Sequence, residues 1–278
     1  MRITAVVIIG FAVGVLSGLL GIGGGTILVP AMVYLLGMNQ HRAHGTSLAV
    51  ISLIVLIAAI FYSRQGQMDW AIAIEMAVGG VVGAAVGARI ACLLSGSRLR
   101  RYFGLLLAAI GIRMLYDAAA AIAGFNGHVH AGQMISPHIL DGGLLIIGVG
   151  VIAGILSGLL GVGGGIIMIP AMVLLLGLDQ KMAQGISLAV IIPVSISGAL
   201  IHGAHGNVKF DIALWLVVGG VIGGLVGAYI AIGSNSMVLR GLFSILMLVM
   251  GVLMLVRKSR QGQAEAELPN EEGMGLGG

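Results

Sequence analysis

A chain of 278 residues that is 59% hydrophobic and 9% charged cannot cover a water-facing surface, since a soluble domain carries about 25% charged residues. Its net charge of +4 sits in short basic clusters between long apolar runs, a pattern of membrane topology rather than of a nucleic-acid surface. The lone Cys92 excludes an internal disulfide and a CxxC metal pair.

Long runs with few aromatics give an all-α polytopic membrane protein rather than a β-barrel. In chain order the apolar segments cover about residues 3–20, 26–37, 45–62, 70–94 and 98–118, then 141–160, 166–177, 185–202, 210–232 and 237–256. The first follows Arg2 and imitates a secretory leader. Yet it runs into SGLLGIGGG at Ser17–Gly25, and GVLSGLL at 14–20 returns as GILSGLL at 154–160. A segment that belongs to an internal repeat is part of the mature fold.

The repeat keeps a constant offset of 140 residues, from Gly14/Gly154 through Pro30/Pro170, Ser47/Ser187, Gly79/Gly219 and Arg100/Arg240 to Gly111/Gly251. Two homologous units of about five helical segments follow: 1–118 and 141–256, with a connector at 119–140 and a polar tail at 257–278 that reads as disordered. Duplicated units of this kind build many secondary transporters. The second segment of each unit is too short to span, because twelve helical residues reach ~18 Å against a core of ~30 Å. It is expected to be a half-helix that starts inside the membrane at a break.

Basic residues prefer the cytoplasm. If each unit crosses an odd number of times, Arg2, Arg42, the cluster Arg98, Arg100 and Arg101, and the RKSR of 257–260 all face inward. The connector, free of Lys and Arg, then faces outward. The two units become inverted-topology repeats with both termini cytoplasmic. Arg64, Lys181 and Arg240 fall outside this scheme.

Irregular backbone at membrane depth is tolerated only when buried in protein or lining a cavity. The GxGGG break lets a ligand approach the backbone, and the half-helix after it offers unsatisfied N–H groups and the positive end of its dipole. That combination binds an anion without Lys or Arg. The candidate substrate-binding residues are Ser17, Gly21, Gly23, Gly24, Gly25, Thr26, Thr46 and Ser47 in the first unit. In the second they are Ser157, Gly161, Gly163, Gly164, Gly165 and Ser187. The competing use of glycine is close helix packing, which the rows Gly79/Gly83/Gly87 and Gly219/Gly223/Gly227 serve.

Thr26, His44 and Thr46 face Ile166, Gln184 and Ile186 in the second copy, a polar asymmetry that suits an asymmetric ligand. His44 and Glu75 are candidates for coupling. Arg113 and Asp117, four apart, read as a local ion pair. Neither copy has the GK[ST] of a Walker loop, and the flanks do not fit a Rossmann turn. No catalytic residue, cofactor or metal site is expected: Ser17 and Ser157 lack a neighbouring base, and the His202/His205 pair lacks a nearby carboxylate.

The duplicated SGLLGxGGGxxxxPAMVxLLG, followed by GxSLAV, resembles the sulfite exporter TauE/SafE family of bacterial membrane transporters over about residues 5–256. The resemblance implies a multi-pass inner-membrane carrier of small anions, commonly sulfite or organosulfonates, with protons as the family-level coupling ion. The expected partners are a small anionic substrate and the lipid bilayer, with no nucleic acid; homo-oligomerisation stays open. Alternating access between the two repeats is the expected mechanism. An anion channel and a non-transporting scaffold subunit are the alternatives.

Overall fold

The computed structural model of the chain describes residues 3–91, 96–123, 143–160 and 164–256. Ten helices account for nearly all of them: α1 (Ile3–Leu20), α2 (Gly25–Leu36), α3 (Gln40–Arg64), α4 (Trp70–Ala91), α5 (Gly96–Ile122), α6 (Gly143–Leu160), α7 (Gly165–Leu175), α8 (Gln180–Ala204), α9 (Phe210–Gly233) and α10 (Ser236–Val256). Among the described residues, seven of these (α1, α3, α4, α5, α8, α9 and α10) are long and apolar enough to cross a membrane. The chain is an all-α polytopic membrane protein. The half-helices expected after the glycine breaks are α2, with 12 residues, and α7, with 11.

Several helices outrun their apolar segments. α3 and α8 begin in polar sequence because Asn39 and Asp179 cap them. The Asn39 side chain accepts from the Arg42 N–H at 2.9 Å, and that of Asp179 accepts from the Lys181 N–H at 3.0 Å. α5 continues to Ile122 through an alanine run of high helix propensity, so helix occupies the start of the expected connector. The rest of the connector and the tail lie outside the described residues.

Glycine contacts fix the helix directions. A Cβ at Gly10, Gly14 or Gly18 would run into the backbone of Leu216, Gly220 or Gly224, so α1 and α9 lie side by side and parallel. Gly79, Gly83 and Gly87 press on Ile147, Val151 and Ile155 in the same way, making α4 and α6 parallel. Counterpart helices instead run antiparallel. Gly45 on α3 meets His202 on α8 while Gly185 on α8 meets Tyr62 on α3, and Gly104 and Gly111 on α5 meet Gly251 and Leu248 on α10. Each contact between the halves thus recurs with its two members exchanged, an arrangement compatible with inverted repeats.

The start of α3 settles the role of α2. Gly45 abuts Asn207, and the Lys209 N–H donates to Thr46 Oγ1 at 3.0 Å, so α3 begins beside the start of α9. Because α9 is parallel to α1, α3 begins at the same end as α1. The chain therefore rises through α1, returns through α2 and rises again through α3, a course compatible with a re-entrant α1–α2 pair. Three further helices complete each half, an arrangement compatible with an odd number of crossings. Large apolar side chains such as Ile74, Leu144, Leu214 and Ile222 remain exposed, as a lipid-facing surface requires.

Candidate functional site

The first break is held open by three left-handed glycines, Gly21 (φ 71), Gly23 (φ 75) and Gly24 (φ 78), a conformation costly for residues with a Cβ. α1 closes with the Gly21 N–H donating to the Ser17 carbonyl at 2.8 Å. α2 opens with the Gly24 carbonyl accepting from Ile27 and Leu28 at 3.1 and 2.9 Å. α7 opens in the same way on the Gly164 carbonyl, which accepts from Ile167 and Met168 at 3.2 and 2.9 Å. Gly164 itself is right-handed, with φ −58.

The two breaks meet. Ser187 Oγ donates to the Gly21 carbonyl at 3.0 Å, and a Cβ on Gly165 would lie 2.8 Å from the Ile22 Cα. Beside this junction is a cavity of about 270 Å³. Gly23, Gly25 and Thr26 reach it from the first break and Gly164 from the second; His44 and Ser47 come from α3, and Ser195 from α8. Leu48, Ile51, Met168 and Ile191 supply apolar wall, and no Lys, Arg, Asp or Glu lines it among the described residues. The groups offered to a ligand are hydroxyls, an imidazole and the N-terminal turn of α2, where a helix leaves N–H groups without intrahelical acceptors. This set is suited to an anion.

The cavity therefore gathers Gly23, Gly25, Thr26, His44, Ser47 and Gly164. Others support it from behind. Ser17 is fully buried near Gly24, and its hydroxyl has no partner among the described residues. Gly21 packs on Gln184, Gly165 fills the junction, and Ser187 is tied to Gly21. Two candidates sit elsewhere. Thr46 is buried against Lys209 and fastens α3 to the start of α9. The Glu75 carboxylate lies by Gly143, whose added Cβ would be 2.9 Å from Oε1. That is the positive end of the α6 dipole, where a carboxylate is favoured. Gly161, Gly163 and the side chain of Ser157 lie outside the described residues. Arg113 donates to Asp117 as their spacing implies.

Sequence reasoning missed Ser195. Its counterpart is Val55, so a comparison of the two copies for shared or replaced polar groups near the motif passes over it. The signal lay in helix periodicity: Ser195 follows Ser187 and Ile191 on one face of α8. For Thr46, Thr46→Val is expected to cost ~1 kcal/mol by removing one buried hydrogen bond. A thermal scan in detergent should read this as a drop of about 2–4 °C, with flux unchanged.

A helical membrane bundle whose two broken helices converge on a cavity is an architecture that many secondary transporters share. The family description "Sulfite exporter TauE/SafE" matches residues 1–114 and 146–278, and the chain belongs to that family. It is 30% identical over 253 residues to a probable membrane transporter protein of Xylella fastidiosa, covering 90% of this chain and 92% of that one. It is 29% identical to the probable membrane transporter protein YunE of Bacillus subtilis, over 83% of this chain and 89% of that protein. The probable membrane transporter protein MJ0441 of Methanocaldococcus jannaschii shares 28% identity, with 90% and 94% covered. No solved structure matches the chain.

Proposed function

We propose that the protein is a secondary transporter that moves a small anion, sulfite or an organosulfonate, across the bacterial inner membrane by alternating access at the cavity between its two halves. The observation that carries this reading is the cavity at the junction of both helix breaks: the half of the path on one side of the junction, lined by both repeats, is open, and the half on the other side is closed. Val194 lines the cavity and is 39% exposed, while its counterpart Ile54 is 1% exposed. Leu48 and His44 are partly exposed, and their counterparts Leu188 and Gln184 are fully buried. Two similar halves holding unlike conformations can exchange them, and exchange moves the opening to the other face of the membrane. A channel would need both ends open at once.

The oxygens of a sulfite or sulfonate group accept hydrogen bonds, which the α2 terminus and Ser47, whose buried hydroxyl has no partner among the described residues, can donate. His44, in the cavity wall, is the group suited to carry a coupling proton; Glu75 is too remote. The basic clusters orient the open end and both termini toward the cytoplasm.

Thermal stabilisation of the detergent-purified protein tests the substrate class. The panel is sulfite, sulfate, thiosulfate, taurine, sulfoacetate, acetate and phosphate. A ligand at 100 times its Kd stabilises by about 2.7 kcal/mol. The expected result is a rise in melting temperature with sulfite or the sulfonates only, followed by saturable flux of the same anion in liposomes. No shift with any anion would return the glycine breaks to packing.

A further inference from the structure

Gln180, Gln184, Tyr62 and Ser187 form a second polar cluster, each with 0% exposure. Both amide atoms of Gln180 and the Nε2 of Gln184 have no hydrogen-bond partner among the described residues. Burial without partners is costly, and native proteins keep few such groups. The Tyr62 hydroxyl lies 3.0 Å from the Gly18 carbonyl and 3.2 Å from Gln184 Oε1, and its one proton can serve only one of them at a time. No packing argument accounts for this concentration of unsatisfied amides in an otherwise apolar bundle.

The repeat supplies the missing reason. Gln184 is the counterpart of His44, Ser187 of Ser47, and Tyr62 of His202. His44 and Ser47 line the open cavity. The sealed cluster thus occupies, across the exchange of halves, the place of the open cavity's wall. It is also continuous with that cavity. On α8, Gln180, Gln184, Ser187, Ile191 and Ser195 are spaced by four, three, four and four, which keeps them on one helix face. Ile191 and Ser195 already line the cavity. One face of α8 therefore runs from the sealed cluster, past the junction of the breaks, into the open half.

We propose that this cluster is the closed half of the anion path. Gln180, Gln184 and Ser187 form a second binding station for a small oxyanion, and the Tyr62–Gln184 contact holds it shut. The proposal rests on the alternating-access reading. When the halves exchange conformation, the cluster opens to the face opposite the present cavity. Its amide N–H groups then meet the oxyanion as it leaves or enters. Neutral amide and hydroxyl donors suit a station that must release its ligand, because they hold an anion less tightly than a guanidinium or ammonium would.

The test uses impermeant maleimide on sealed membrane vesicles of both orientations, in a Cys92→Ser background. Ser195→Cys reports the open half and Gln184→Cys the closed half. Ser195→Cys is expected to react from one face only, and Gln184→Cys slowly and from the opposite face. Adding Tyr62→Phe to the Gln180→Cys protein, in which the Tyr62–Gln184 contact is intact, removes that contact, and a lost hydrogen bond shifts the opening equilibrium enough to raise the Gln180→Cys rate up to about tenfold. Gln180→Cys gives the same readout should Gln184→Cys fail to fold. A role of Tyr62 in stability alone would lower the melting temperature without changing the labelling. Labelling of Gln184→Cys and Gln180→Cys from neither face, or from the Ser195 face, overturns the proposal. If anion flux persists in that case, the transport reading stands and only the second station falls. If Ser195→Cys and Gln184→Cys label from opposite faces but no anion is carried, the path stands and the substrate class falls.

Discussion

Gly164→Leu is expected to abolish anion flux while leaving folded protein in the membrane. Gly164 is right-handed, with φ −58, so leucine meets no backbone strain there. The carbonyl that starts α7 still accepts from Ile167 and Met168, so the half-helix keeps its first turn. What changes is the cavity. Gly164 lines it, and a leucine side chain takes a large share of about 270 Å³. Losing even one hydrogen bond to a charged group weakens binding about 10- to 100-fold, and exclusion from the cavity removes several. The measurement is substrate uptake by proteoliposomes beside gel filtration and a melting curve of the same preparation. Gly164→Ala should give an intermediate loss. Wild-type flux in a folded Gly164→Leu protein would remove the anion from this cavity. Gly24→Leu cannot make the same distinction. Gly24 is left-handed at φ 78, and its added Cβ would lie 2.8 Å from Val13 Cγ1, so loss of fold is expected there.

The two copies of GxGGG look interchangeable in sequence, and the structure separates them. What the sequence made legible was the element plan: the repeat offset, the short second segment and the odd number of crossings all follow from hydropathy and charge. The direction of α2 follows only from the Thr46–Lys209 and Gly45–Asn207 contacts, which join residues far apart in the chain. The same contact places Thr46 against Lys209 and not in the cavity wall. A lone threonine beside a glycine-rich motif carries no sign of which neighbour its hydroxyl will meet. Glu75 was singled out because charge inside an apolar segment is rare, but its place by the first residue of α6 depends on how α4 and α6 pack. The polar wall of α8 was legible in part. Ser187 and Gln180 were visible as polar residues shared with Ser47 and Gln40, but Gln184 and Ser195 gain meaning only once α8 is known to face the cavity.

Gly14→Leu is expected to do the opposite of Gly164→Leu, removing the folded protein itself. A Cβ at Gly14 would overlap the Gly220 carbonyl, and the atoms in the way are backbone, which cannot step aside like the tip of a side chain. Gly10 against Leu216 and Gly18 against Gly224 extend the contact by a turn in each direction, so α1 and α9 touch along much of their length. Lipid tails are as apolar as leucine, so close backbone packing is a main source of helix association in a membrane. Leucine at Gly14 forces the helices apart over the whole crossing. Overpacking by a few carbons in a well-packed core costs about 1–3 kcal/mol. Here the loss of the neighbouring contacts adds to that, against a total stability of about 5–15 kcal/mol. The expected result is aggregated material on gel filtration and little cooperative melting. Gly154→Leu should match it, because Gly154 meets Gly80 as Gly14 meets Gly220. Gly66→Ala is the contrast: its φ is 69 but nothing lies within 4 Å of the added Cβ, so only the left-handed backbone is penalised, by about 1–2 kcal/mol. A Gly14→Leu protein that melts like wild type would mean that α1 and α9 do not cross at Gly14. A collapse of both Gly14→Leu and Gly154→Leu, with Gly164→Leu folded but silent, would show that glycine serves two separate ends in this chain. In the spanning helices it lets backbones touch, and at the breaks it leaves room for a ligand.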